Sequence, residues 1–425
     1  MKYRSLLLGF ILMSSTGFSQ TLDDCRQLAH KNYPEIKKYG LISMSEEYNL
    51  SNASKAWIPQ VVFSAQATYQ SATPTYPEVF RNMMQANGLD MSGISKDQYK
   101  VAVDITQNIW DGGKSRPDKA LATAEAIEQR SQVDVSLYDL QSRVDNNYFG
   151  ILLIDERISQ SESLISVLNS NLNRMKTYLK NGVAMQADVD MLEAELLGAK
   201  QSLVQLETSR ASYRKMLELY IGQPLSSKKL VRPEMKEVAS RISSRPELLL
   251  FDAQLNKLNA QRMSVNSTVM PKISAFAQGF YGYPGLDMFK SMVESKWSLN
   301  AMIGVRVAWN VGALYTKRNN LEKLNVAKKQ IDVHRDVFLF NTSLQISHDD
   351  GEILRLKKAI IDDNRIFELR SRVRAAAESQ LENGVIDITD LLRKITDETV
   401  AKQMLSTQEI ELLQAIYRLK TTLNQ

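Results

Sequence analysis

Seven aliphatic residues in the first half of the chain recur at a strict interval of seven positions. They are Leu137, Val144, Ile151, Ile158, Ile165, Leu172 and Leu179. A seven-residue apolar repeat is typical of helices that pack side by side as coiled coils. The pattern predicts one helix from about residue 114 to residue 180, about 100 Å long at a rise of about 1.5 Å per residue. Such a length excludes a compact globular domain.

The second half carries the same seven-residue pattern, at Leu339, Ile346, Ile353, Ile360, Phe367 and Leu381, with Arg374 as the one exception. Each run ends in an Asn-Gly-Val sequence, and a glycine after a helix commonly ends it. An apolar stripe of helical period follows each glycine. We therefore predict two long helical hairpins, with tips near residues 181–188 and 383–390.

Shorter motifs are duplicated as well. Tyr33-Pro34-Glu35 returns as Arg245-Pro246-Glu247, and Pro59 returns as Pro271. We interpret residues 21–222 and 246–425 as two internal repeats, joined by a linker over residues 223–245. In each repeat a helix is followed by strands and then by the long hairpin.

Four segments, about residues 61–70, 100–110, 273–283 and 298–309, alternate between apolar and polar side chains. Each is about as long as a tilted β-strand needs to be to cross a bilayer, which is about 9–11 residues. Aromatic residues lie at or near their ends, as in the interfacial girdles of membrane barrels: Trp57, Tyr69, Tyr99, Trp110, Tyr281, Trp297 and Trp309. A soluble sheet of half-buried hairpins is the alternative, and the aromatic positions favour the membrane interpretation.

Four strands cannot close a barrel, because the smallest common closed barrels have about eight. An open sheet edge is not viable in lipid. If these strands span a membrane, several copies of the chain must share one barrel, and three copies would supply about twelve strands and form a pore.

The N-terminus has the pattern of a signal peptide over residues 1–20, with Lys2 and Arg4 before an apolar run and with Gly17 and Ser19 near the expected cleavage point. The chain is therefore expected to be exported. Cys25 follows Asp24, which is a poor context for lipid attachment, so we expect Cys25 to occupy a buried helix position.

Composition excludes several classes of function. The 53 basic and 48 acidic residues give a formal net charge of only +5, which does not indicate nucleic-acid binding. The histidines, His30, His334 and His348, lie far apart, and no His, Cys or carboxylate cluster has the spacing of a metal site. We predict no enzymatic activity, no metal and no cofactor.

The order and duplication of these motifs resemble the TolC-like outer-membrane efflux family (outer membrane factors) over essentially all of residues 21–425. The residues that carry the resemblance are Asn32-Tyr33-Pro34-Glu35, Trp57-Ile58-Pro59-Gln60, Ile109-Trp110-Asp111-Gly112-Gly113 and the two Asn-Gly-Val tips. The resemblance implies a mixed α and β membrane protein, a homotrimer with a 12-stranded transmembrane β-barrel in the outer membrane. Long antiparallel coiled-coil hairpins would form an α-helical barrel in the periplasm.

The function that this resemblance implies is that of an exit duct for a tripartite efflux pump or a type I secretion system. Such a duct docks with a periplasmic adaptor (membrane fusion protein) and an inner-membrane transporter. The rival class, an exported periplasmic coiled-coil scaffold or adaptor without a pore, explains the heptads and the signal peptide. It does not explain four alternating strands with tryptophans at their ends.

The resemblance also implies site residues at the hairpin tips. The adaptor would contact Asn181, Gly182, Val183, Asn383, Gly384 and Val385. Asp188 and Asp390 match acidic residues that constrict the closed tunnel, although both would also stabilise a helix N-terminus through its dipole. Arg393 replaces a further acid of the family, with Met191 at the equivalent position of the first half, and its spacing allows an ion pair with Asp390.

Overall fold

The computed structural model describes residues 20–88, 93–225, 230–235, 238 and 240–425. The predicted signal peptide lies, except for its last residue, outside the described residues. The described chain is mostly helical and contains one four-stranded antiparallel sheet. Cys25 is fully buried in the first helix, and burial, together with the charge of Asp24, raises the pKa of its thiol to about 12.

The elements occur in a similar order in both halves. The first half contains α1 (Leu22–Asn32), a 3-10 turn (Pro34–Lys37), α2 (Lys38–Lys55), β1 (Gln60–Tyr69), α3 (Glu78–Ala86), β2 (Asp97–Trp110), α4 (Ser115–Lys180) and α5 (Gln186–Ile221). The second half contains α6 (Pro246–Thr268), β3 (Lys272–Tyr283), α7 (Met288–Val293), β4 (Ser298–Ala308), α8 (Ala313–Glu382) and α9 (Ile388–Leu423). The sequence predicted the strands and the long helices to within a few residues, but not the short helices α3 and α7.

The chain forms two compact units, and neither coincides with a predicted repeat. The first unit consists of residues up to 39 together with 131–249 and 335–425. The second consists of residues 40–130 and 250–334. Each unit therefore takes segments from both halves of the chain, and the repeat boundaries stay a prediction.

In the first unit, the apolar positions at seven-residue intervals on α4 (the α4 seam) and on α8 (the α8 seam) differ in burial. Most of the α4 seam is buried, including Val144 and Ile151, which have no exposed surface. The α8 seam is only partly covered, and Leu339 is exposed. Near the hairpin tips, α4, α5, α8 and α9 share one apolar core, whose buried members are Leu168, Leu172, Met175, Val189, Leu192, Leu196, Ala377, Ile388, Leu391 and Ile395.

Arg374, the exception in the α8 seam, forms ion pairs. Its guanidinium lies 2.6 Å from Glu378 of the same helix and also contacts Glu398 of α9. A charged residue is tolerated at this half-buried position because two carboxylates compensate it.

The second unit contains the sheet, in the order β1-β2-β3-β4. Its register places most apolar positions of the four strands on one face: Phe63 lies opposite Val103, and Ala277 opposite Ile303. This face is open, with Phe63 78% and Ile303 84% exposed. A monomeric soluble protein rarely exposes such a continuous apolar surface. The polar positions share the other face.

Asp111 directly follows β2 and caps the start of α4. Its carboxylate accepts hydrogen bonds from the backbone of Gly113 at 2.8 Å and of Ser115 at 2.7 Å, and from the Ser115 hydroxyl at 2.5 Å. Gly112 makes the turn with a φ of +73°, and a side chain there would press on Met270 and Pro271. Burial raises the pKa of Asp111, but the hydrogen bonds outweigh burial and lower it overall.

We expect Asp111→Ala to lower the free energy of unfolding by about 1–2 kcal/mol, because the helix start loses its cap. The folded-state pKa lies below the unfolded one, so the contribution is complete above the unfolded pKa and is lost as pH falls through the folded pKa. Urea midpoints in detergent should show a constant gap from wild type above about pH 5 that narrows below about pH 4. Asp118→Ala, which removes only a weak exposed ion pair at 4.0 Å, is the matched control. Equal effects of the two substitutions would contradict the capping role.

Candidate functional site at the hairpin tips and strand ends

Both hairpin tips end their first helix with the same hydrogen-bond motif. In the first, the backbone N–H of Gly182 donates to Leu179 and that of Val183 to Tyr178, both at 3.0 Å. In the second, Gly384 donates to Leu381 at 3.0 Å and Val385 to Gln380 at 2.8 Å. This is the Schellman arrangement, which needs a left-handed residue after the helix.

The tip glycines supply that left-handed conformation, with φ angles of +75° at Gly182 and +68° at Gly384. Open space surrounds both, so conformation and not crowding requires glycine there. Asn181 and Asn383 are exposed, and Val183 and Val385 project into solvent. Each tip therefore presents an exposed apolar side chain on a fixed backbone turn.

Asp188 caps the start of α5. Its carboxylate accepts a hydrogen bond from the backbone N–H of Met185 at 2.9 Å, and the side chain is partly buried. This is the helix-stabilising role that was the alternative to a constriction role. One of its oxygens is thereby engaged with the protein itself.

Asp390, at the equivalent place in the second tip, is arranged differently. Asp387 caps α9 by accepting a hydrogen bond from the Asp390 backbone at 2.8 Å. The Asp390 side chain is exposed, and its carboxylate forms no hydrogen bond or ion pair with any described residue. The capping role of Asp387 was missed from the sequence, although an aspartate three residues before Asp390 was a usable signal.

The spacing of Arg393 and Asp390 allows an ion pair, but none forms between these two described residues. Both side chains are exposed. A pair of this kind gains little in water, because holding two side chains in one geometry costs entropy. Both charges therefore face solvent near the second tip.

Contacts between the two hairpins lie close to these residues. The Thr389 hydroxyl donates to the sulfur of Met191 at 3.8 Å, and Arg174 forms a 2.7 Å ion pair with Glu382. Together with the shared apolar core, these contacts hold the two tips as one structural group. The sequence indicates Met191 only as the counterpart of Arg393.

In the second unit, the aromatic residues form two groups at opposite ends of the strands. One group consists of Tyr69, Tyr99, Tyr281 and Trp297, and the ring centroid of Trp297 lies 6.0 Å from that of Tyr99 and 5.3 Å from that of Tyr281. The other group consists of Trp57, Trp110 and Trp309, and Trp309 donates to the carbonyl of Val269 at 3.0 Å. All seven side chains are exposed.

Across the described part of the chain, no helix has the length and apolar character needed to cross a membrane. Within the same residues, no group of three or more His, Cys, Asp or Glu side chains is placed to hold a metal ion.

Residues 25–223 match the sequence model of a family described as outer membrane efflux protein. The matched residues make up just under half of the chain and are similar to this family. The similarity indicates an outer-membrane channel protein, not an enzyme, with its helical body in the periplasm.

Individual proteins extend the likeness beyond the matched segment. The outer membrane efflux protein BepC of Brucella suis is 20% identical over 342 residues, which cover 78% of this chain and 70% of BepC. The crystal structure of VceC from Vibrio cholerae superposes with a TM-score of 0.69 at 13% identity, covering 95% of both chains. The open-state channel MtrE of Neisseria gonorrhoeae gives 0.67 at 14% identity, covering 95% of this chain and 88% of MtrE. The fold is thus shared along nearly the whole length.

Proposed function

We propose that this protein is the outer-membrane exit duct of a tripartite efflux pump or a type I secretion system. The observation that carries the proposal is the sheet, which has one exposed apolar face, one polar face and a group of aromatic residues at each end of its strands. The apolar face suits lipid, the polar face suits a water-filled lumen, and the aromatic groups suit the two interfaces.

A homotrimer follows from the strand count. β1 and β4 are the outer strands of the sheet, and neither has a second strand partner among the described residues. In lipid, unpaired backbone groups are costly, so β4 of one copy would pair with β1 of the next until the barrel closes. Three copies would supply about twelve strands, and four strands alone are too few.

The hairpin tips are the proposed contact with the periplasmic adaptor, which in turn would join the duct to an inner-membrane transporter. Asn181, Gly182 and Val183, with Asn383, Gly384 and Val385, form two exposed turns of the same geometry. Repeated turns with apolar side chains would suit a partner that docks end to end. Docking there would open a passive channel.

Asp390 is the proposed main constriction residue, and Asp188 a secondary one. The Asp390 carboxylate is exposed and has no protein partner among the described residues, whereas Asp188 is engaged with the backbone of Met185. A ring of carboxylates in a pore attracts cations and narrows the passage. Arg393, also exposed, would modulate the charge of that ring.

We expect Asp390→Asn to raise single-channel conductance in planar bilayers by about twofold and to weaken block by divalent cations. Asp188→Asn should have a smaller effect, because the Asp188 carboxylate is partly buried and already engaged with the backbone of Met185. Asp190→Asn is the matched control, since Asp190 is an exposed acid of the same hairpin that bonds to Gln186. Conductance and block that are unchanged in Asp390→Asn would contradict the constriction role.

The assembly itself is tested by extraction and reconstitution. A trimer that is released from outer membranes only by detergent and that forms channels in bilayers is the expected result. A protein that is released by salt and forms no channels would instead identify the periplasmic scaffold.

A further inference from the structure

The polar face of the sheet carries an excess of positive charge. The four strands contain five charged residues: Asp97, Lys100, Asp104, Lys272 and Arg306. Asp97 falls on the apolar face, opposite Tyr69 at one end of the strands. The register places the other four on the polar face, so three cations stand against one anion there.

Arg306 of β4 is held over an aromatic ring. Its guanidinium carbon lies 4.9 Å from the ring centroid of Phe276, within the range of a cation–π interaction. The ring has room because Gly304 lies directly opposite Phe276, and a side chain at Gly304 would come within 2.8 Å of it. Phe276 is one of several apolar residues on this face, and supporting Arg306 gives it a role there.

Lys100 of β2 is held in the same way. Its ammonium lies 4.4 Å from the ring centroid of Phe280 and donates to Gln278 at 3.1 Å. Gln278 in turn donates to Asp104 at 2.5 Å. The single carboxylate of this face is thus engaged through Gln278, while Arg306 forms no ion pair with a described residue and Lys272 is exposed.

From this arrangement we propose that the polar face of the sheet is an anion-selective lining. When copies of the chain close the sheet into a barrel, each copy contributes an excess of two positive charges to the lumen. Two of its cations, Lys100 and Arg306, are held over aromatic rings. Rings of Arg and Lys favour anions in pores, and fixed charges act strongly where the passage is narrow relative to the screening length. The lining would favour anionic solutes, such as carboxylates and phosphates, over cations of similar size.

The inference rests on the proposed function, since it needs the polar face to line a pore. It concerns a different part of the molecule from the tip acids, which lie in the other compact unit. The negative charges of Asp188 and Asp390 at the tips would counteract the preference for anions in a measurement on the whole channel. The test therefore uses the full-length protein with Asp188→Asn and Asp390→Asn as the common background.

The reversal potential in a KCl gradient across a planar bilayer measures the preference. In the common background we expect chloride to permeate more readily than potassium. Arg306→Gln should lower the chloride-to-potassium permeability ratio by about twofold, and Arg306→Lys should retain it. Asp104→Asn should shift the ratio in the opposite direction. Lys100→Gln repeats the first test at an independent position, should Arg306→Gln fail to assemble.

Opposite shifts for the cation and anion variants support the lining. Channels whose reversal potential does not respond to Arg306→Gln, Lys100→Gln or Asp104→Asn would overturn the inference while leaving the proposed duct intact. If the unsubstituted protein forms no channels, the proposed function fails and the inference fails with it.

Discussion

Replacing Gly182 and Gly384 with proline is expected to abolish export while leaving the protein in the outer membrane. Proline fixes φ near −65°, whereas the two glycines adopt +75° and +68°. Each substitution also removes the backbone N–H that donates to Leu179 or Leu381. Each substitution should destabilise the turn that presents Val183 or Val385 by about 3 kcal/mol or more.

Insertion should survive this change, because the sheet belongs to the other compact unit and has its own network of strand pairs. Efflux of a fluorescent substrate from intact cells, together with immunoblots of outer-membrane fractions, separates the two properties. Gly198→Ala is the matched control, since Gly198 lies within α5 in open surroundings and alanine favours a helix there. Normal efflux by the double proline variant would rule out the tips as the docking surface.

Asp145→Ala is expected to destabilise the protein by about 3–5 kcal/mol, because it leaves the buried Arg26 guanidinium with only a 3.5 Å contact to the exposed carboxylate of Asp23. Arg26 donates to both oxygens of Asp145, at 2.7 and 2.6 Å. Their side chains are only 14% and 9% exposed. The pair joins α1 to α4 within the first compact unit. Urea midpoints of the detergent-solubilised protein measure the change.

An exposed ion pair that also engages both carboxylate oxygens, through a single guanidinium nitrogen, provides the control. Arg241 donates to both oxygens of Asp350 at 2.5 and 2.6 Å, but the two side chains are 59% and 42% exposed. Asp350→Ala should therefore cost less than about 1 kcal/mol. The double variant Arg26→Met with Asp145→Leu should recover part of the loss, since no charge is left buried. Similar costs for Asp145→Ala and Asp350→Ala would show that burial does not decide the effect.

Long regular patterns explain why the sequence predicted so much of the fold. The seven-residue seam of α4 repeats through seven aliphatics, and the strand alternation extends over about ten residues, so single exceptions such as Arg374 do not hide the period. The helices α3 and α7 have only nine and six residues. That is too short for a period to stand out against a loop rich in Pro, Asn and Met.

The tips were predictable in position but not in detail. Gly182 and Gly384 mark their turns because only glycine adopts the required conformation readily. Whether Asp387 or Asp390 caps α9 depends on which side chain faces the backbone, and spacing alone does not decide that. The pair of Arg26 and Asp145 joins residues 119 positions apart, for which no local pattern exists. The excess of positive charge on the polar face of the sheet could be found only from the strand register.

The two unpaired edges of the sheet have a genetic consequence. Each copy supplies both a β1 edge and a β4 edge, so one copy with a damaged edge would prevent closure of the whole ring. If three copies form the barrel as proposed, only about one trimer in eight would contain normal chains alone in a cell that makes normal and damaged chains in equal amounts. Edge-damaging alleles would therefore act as dominant negatives, whereas alleles that prevent folding would be recessive.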